Sequence, residues 1–163
     1  MHLDRLKTVL DKELALHAHL LETAQALNEA LKKRAVDEVH KVSLHYDETT
    51  MQIERLEEQR LLLSDALAKH YGESGHVNLR TLIALMPADK RPEFEELQRN
   101  MKLKIGELTR INTSNKILLE ASLSTIARTV EMMTLTENKL AGYKSLGQKD
   151  TKPIQRALFN QIA

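Results

Sequence analysis

From Phe94 to Met133 the chain repeats one spacing. Phe94, Leu97, Met101, Ile105, Leu108, Asn112, Asn115, Leu119, Leu123, Ile126, Val130 and Met133 follow one another at steps of three or four. Such steps place side chains on one face of an α-helix, so this segment is constrained to a single long amphipathic helix. After Pro92 no strong breaker appears until Gly142, and Gly106 is the weakest interior position. A helix over about 90–140 extends roughly 75 Å at 1.5 Å per residue. Two consecutive slots on its apolar face carry the amides Asn112 and Asn115. A buried amide costs stability unless it is hydrogen-bonded, and asparagine in a helical seam commonly fixes register or oligomer state. Asn112 and Asn115 are therefore expected to set the register of this helix against its neighbours.

The remaining segments supply those neighbours. Leu3, Leu6, Leu10, Leu14, Leu20 or Leu21, Ala24, Leu27 and Leu31 predict a first helix over about 2–33, closed by Lys32, Lys33 and Arg34. A tight turn at Ala35 and Val36 leads to Asp37 as the expected N-cap of a second helix. A connection this short makes the two antiparallel. The second helix runs to about His70 through Val39, Val42, Tyr46, Ile53, Leu56, Leu63 and Leu67, with Gly72 as its stop. Asn78 can cap a short helix containing Leu79, Leu82, Ile83 and Leu85 that ends before Pro87. The expected fold is all-α: an elongated antiparallel bundle or coiled-coil hairpin of three long helices plus one short helix. Residues 1–140 form the bundle. Residues 141–163 form a tail punctuated by Gly142, Gly147 and Pro153, in which Ile154, Leu158 and Ile162 stand four apart as a short amphipathic segment.

Composition narrows the function. Aromatic residues make up only 3% of the 163 residues and Trp is absent, which favours extended helical packing over a thick globular core. With 24 basic and 23 acidic residues the chain lacks the positive field that nucleic acid selects. There is no cysteine, the N-terminal stretch MHLDRLKTVLDKE has no signal-peptide character, and no apolar run is long enough for membrane insertion. A cytoplasmic protein is expected.

Catalysis finds no foothold. The one Glu-x-x-His, Glu73 to His76, lies in a Gly-rich loop rather than on a helix face. His17 and His19 point in different directions on a helix, and Glu13 and His17 read as ordinary helical neighbours, so solvated or edge histidines are expected. No nucleophile sits beside a base and no phosphate-cradling loop occurs. Neither an enzyme, a cofactor nor a metal is expected.

A helical hairpin, a short loop region and a long helix carrying Asn112-x-x-Asn115-x-x-Leu118-Leu119, followed by Tyr143-Lys144-Ser145-Leu146-Gly147, resemble the FlgN family of flagellar type III export chaperones. The resemblance implies a non-catalytic chaperone that binds hook-filament junction proteins of the FlgK and FlgL type and delivers them to the export gate protein FlhA. It implies gate contact at Tyr143. The expected client surface is Val130, Met133 and Leu140, where the long helix outruns its neighbours, together with Ile154, Leu158 and Ile162 of the tail. An uncovered amphipathic face of this kind suits helix-in-groove recognition. A generic coiled-coil scaffold or adaptor is the alternative, and the sequence leaves both a monomer and a homodimer open.

Overall fold

The computed structural model describes residues 2–73, 75 and 77–144, with 137–144 described through their backbone. Among these residues there is no strand. The chain forms α1 (His2–Lys33), α2 (Val36–His70), α3 (Leu79–Leu85) and α4 (Arg91–Lys144). It divides into two units, residues 1–120 and 121–163, so that α4 belongs to both.

Two apolar clusters fix how the helices of the first unit run. Leu6 and Leu10 of α1 pack with Leu67 of α2, Leu82 and Ile83 of α3, Met86, and Phe94 of α4. Leu20, Leu21 and Ala24 of α1 pack with Ile53 of α2 and Leu108 of α4. Moving from the first cluster to the second, residue numbers rise along α1 and α4 and fall along α2. Within this unit α2 is therefore antiparallel to both of the others. Phe94, Leu6, Leu82 and Met86 are the largest fully buried side chains. At about 1.5–3 kcal/mol for each large apolar side chain buried, this first cluster is a principal source of the unit's stability.

The α1–α2 junction is tighter than the sequence indicates. The amide of Ala35 donates to the Ala30 carbonyl at 3.0 Å, and that of Arg34 to Leu31 at 3.1 Å. This pair of bonds is a Schellman closure with Arg34 in the left-handed position at φ 55°. Only Ala35 then separates the closure from α2, which begins at Val36. Asp37 consequently lies inside the first turn of α2 and is not its N-cap; Ala35 holds the cap position and offers no side-chain acceptor. The carboxylate still opposes the positive end of the helix dipole.

The other boundaries follow the expected chemistry. Gly72, at φ 84°, closes α2 with the same bond pattern, Glu73 to Ala68 and Gly72 to Lys69. Asn78 accepts the Thr81 amide at 2.9 Å and caps α3, which ends two residues before Pro87. Arg91 donates from Nε to the Met86 carbonyl at 2.8 Å and ties the start of α4 to the end of α3. At its other end α4 runs through Gly142 to Lys144 rather than stopping near residue 140. A single glycine costs a helix only about 1 kcal/mol, too little to end it unaided.

Candidate interaction surface

The seam between the helices alternates apolar and polar layers. Beyond the first apolar cluster, Glu13 of α1 is only 3% exposed and accepts Arg60 Nε of α2 at 3.1 Å. His17, one turn further along α1, is also buried, and its Nδ1 has no hydrogen-bond partner. This corrects the expectation of a solvated or edge histidine there. Counting apolar residues alone carried the α1 stripe from Leu10 to Leu14 and then to Leu20, a step of six. The buried line passes instead through Leu10, Glu13, His17 and Leu20, while Leu14 is half-buried. Burial pushes the Glu13 carboxyl up from its usual range, against the opposing pull of Arg60. Burial likewise pushes His17 down; Arg60 adds to that shift and the Glu57 carboxylate opposes it.

A second polar layer follows the second apolar cluster. Asn28 Nδ2 of α1 donates to Asn115 Oδ1 of α4 at 2.8 Å and approaches Ser114 Oγ at 3.0 Å. Asn115 Nδ2 donates to the Ala24 carbonyl at 2.9 Å. One turn earlier on α4, Asn112 Nδ2 donates to the Tyr46 hydroxyl of α2 at 2.7 Å. Asn115 is buried and Asn112 half-buried, so these amides join α4 to each of the two helices beside it. A polar crevice of about 520 Å³ opens between α1 and α4 against Asn28 and Ser114. Asn28 is the partner that the sequence reading missed. Its place four residues after Ala24 and three before Leu31, on the α1 stripe, was the available signal.

Beyond Glu120 the character of α4 changes. From Ala121 to Thr136 the only charged residues are Arg128 and Glu131, whereas the stretch from Arg91 to Arg110 carries nine. Leu123 is 64% exposed, Ile126 60%, Val130 40% and Met133 65%, and Met132 and Leu135 are exposed as well. Val130 and Met133 thus present apolar surface on one line with Leu123 and Ile126. Leu140 and Tyr143 lie on the α4 backbone, with their side chains outside the described residues; Ile154, Leu158 and Ile162 lie outside them altogether. Among the described residues no group of three potential metal ligands occurs, and no helix is long and apolar enough to cross a membrane.

The FlgN protein family matches residues 1–151. The chain belongs to the FlgN family. The match takes in all four helices, both amide positions of α4 and Tyr143, and stops short of Ile154, Leu158 and Ile162. The uncharacterized protein YvyG of Bacillus subtilis (strain 168) is 25% identical to this chain over 148 residues, which is 91% of each sequence. No solved structure matches. Within the FlgN family, then, this chain pairs a hydrogen-bonded three-helix seam over residues 1–120 with a helix beyond residue 120 that leaves its apolar side chains in solvent.

Proposed function

We propose that this protein is a cytoplasmic, non-catalytic export chaperone that binds hook-associated proteins of the FlgK and FlgL type and hands them to the export gate protein FlhA. FlgN family membership supports the flagellar setting. The observation that carries the binding reading is the line Leu123, Ile126, Val130 and Met133, exposed on a continuous helix. An apolar helix face left in water favours association with a complementary apolar face by about 25 cal/mol for each Å² covered. An amphipathic terminal helix of a client is such a face, and covering it keeps the client from aggregating or assembling early. Met133 suits a surface that accepts more than one client, because its unbranched chain repacks readily. Leu140, Ile154, Leu158 and Ile162 extend the same client surface, Asn112 and Asn115 hold the register of the helix that presents it, and Tyr143 is the gate contact.

Calorimetric titration of the full-length protein with a C-terminal fragment of a FlgK- or FlgL-type protein tests this reading. Saturable binding with a negative heat-capacity change is the expected result, since apolar burial gives that signature. No binding at micromolar concentrations of both, with self-association along α4 instead, would return the protein to the class of coiled-coil scaffolds.

A further inference from the structure

On a helix with 3.6 residues per turn, Leu123, Ile126, Val130 and Met133 occupy one line, while Ala121, Arg128, Met132 and Leu135 fall on the opposite side. Met132 and Leu135 are exposed at 66% and 54%, as open to solvent as the residues of the first line. The strips between the two lines carry small hydroxyl and methyl side chains, Ser122, Thr125, Ala127, Thr129, Thr134 and Thr136, where a solvated helix ordinarily carries Lys and Glu. A helix that lies in one groove keeps a charged outer face; this one has Arg128 and Glu131 alone. A helix with apolar side chains on all sides is ordinarily a buried one, and apolar residues on two opposite sides of this stretch leave apolar area in water when a partner covers only one of them.

We propose that residues 121–136 are clasped from both sides by two apolar helical segments of one client, the first on the Leu123–Met133 line and the second on the Met132–Leu135 side. This deepens the client-binding reading and rests on it. Charge complementarity defines the occupant. Its first segment presents an uncharged apolar face, because no charge lies on the line it covers. Its second segment places one carboxylate opposite Arg128, the sole cation of this stretch. Ala and Thr at the flanks let both segments approach the helix closely. The fitting partner is a client that contributes two helices, such as a helical hairpin or the paired ends of one chain.

The test uses full-length protein with Val130→Asp on the first line, Leu135→Asp on the second, and Arg128→Glu. All three residues are exposed in the free protein, so helix content by circular dichroism stays at the wild-type level in each variant. The probe is the FlgK- or FlgL-type protein in full length. Val130→Asp and Leu135→Asp each weaken binding at least tenfold, and Arg128→Glu weakens it several-fold with reduced salt dependence. Loss with Val130→Asp and a Kd within twofold of wild type for Leu135→Asp overturns the clasp in favour of a single groove, leaving the chaperone reading intact. Two other results overturn it by naming a different occupant: self-association of the wild type abolished by Leu135→Asp, which gives that side to a second copy, or a tenfold tighter client complex with Leu158→Asp, which gives it to the chain's own tail. Failure of the wild-type protein to bind the client at all defeats the chaperone reading itself, whatever the variants do.

Discussion

Asn28 of α1 and Asn115 of α4 share a hydrogen bond of 2.8 Å in the interior of the first unit, and Asn115 returns a second bond to α1 at the Ala24 carbonyl. The two residues are separated by 87 positions, so the pair fixes how far α4 is shifted along α1. Any other register would leave buried amides unpaired.

Truncating one partner should therefore cost more than removing both. Asn115→Leu strips Asn28 of its buried acceptor and destabilises by about 1–3 kcal/mol. Adding Asn28→Leu replaces the polar pair with apolar side chains of similar size and recovers a substantial part of that loss, giving a coupling energy of about 0.5–3 kcal/mol in a double-mutant cycle. Urea unfolding of the wild type, both single variants and the double variant measures it. Strict additivity would show that the two amides act independently and do not key the register.

Arg34 offers a stabilising change. A non-glycine residue in the left-handed conformation costs roughly 1–2 kcal/mol, and glycine removes that cost. The charge lost opposite the helix terminus is worth only about 0.3–1 kcal/mol, and Lys32 and Lys33 remain beside it. Arg34→Gly should raise the melting temperature by about 2–4 °C per kcal/mol gained for a chain of this size. A lower melting temperature would mean that Arg34 makes a contact outweighing its backbone strain.

The Glu13–Arg60 pair should be sensitive to pH once broken. Glu13 is almost fully buried, so Arg60→Met strands its carboxylate, a change that costs about 3–5 kcal/mol for fully buried pairs and less here because Arg60 is partly exposed. The pKa of Glu13 is already raised by burial, and loss of the guanidinium raises it further. A raised carboxyl pKa favours the protonated form in the folded state, so its stabilising effect is fully present below pH 4.5 and is lost as pH rises from there through the folded value. The stability deficit of Arg60→Met relative to wild type is therefore larger at pH 7 than at pH 5. A deficit independent of pH would place the cost in lost packing of the arginine stem.

His17 titrates with the opposite consequence. Its pKa is lowered from 6.5, mainly by burial, so the folded state favours the neutral ring. The corresponding stability is present above pH 6.5 and is lost as pH falls through that value toward the folded pKa. His17→Met removes both the titration and the unpartnered Nδ1, and chemical denaturation at pH 7.5 and pH 5.5 should show a smaller acid loss in the variant. Equal losses would locate the acid sensitivity in other groups.

What the sequence made legible reflects what periodicity measures. Apolar spacing placed Leu6, Leu20, Ile53, Leu67, Leu82, Phe94 and Leu108 correctly, and cap chemistry placed Asn78 and Gly72. The amides of α4 stood out because they interrupt an otherwise apolar line. Glu13, His17 and Thr49 are buried and Arg60 is half-buried, yet a count restricted to apolar side chains steps over them. Burial of a charged residue depends on a partner from another helix, and Glu13 and Arg60 lie 47 residues apart, whereas the Thr49 hydroxyl is satisfied within α2 by the His45 carbonyl at 2.8 Å. The left-handed Arg34 was hidden for a related reason: a tight helix-helix connection selected that conformation against the residue's own preference. On the surface, the charge-poor stretch 121–136 was readable in composition, whereas its exposure on both sides emerged only from the fold.

Client binding and gate docking should be separable at Tyr143. The helix α4 continues through this residue to Lys144, placing it on the backbone of the same helix as Val130 and Met133 but about 15–20 Å further along at 1.5 Å per residue. Tyr143 lies seven residues, about 10 Å, beyond Thr136, so one partner can occupy residues 121–136 while a second reaches the end of the helix, with Leu140 at the border between them. Tyrosine is among the residue types that dominate binding energy at interfaces, and truncating such an anchor costs about 2 kcal/mol or more, roughly thirtyfold in affinity. Tyr143→Ala in the full-length protein should leave helix content and the affinity for a FlgK- or FlgL-type client within twofold of wild type, while weakening binding to the soluble domain of FlhA by about thirtyfold. Parallel titrations of one protein preparation with the two partners provide the check. Equal loss toward both would make Tyr143 part of the client surface, and a fall in helix content would make it a structural residue of α4; either result removes it as a dedicated gate contact.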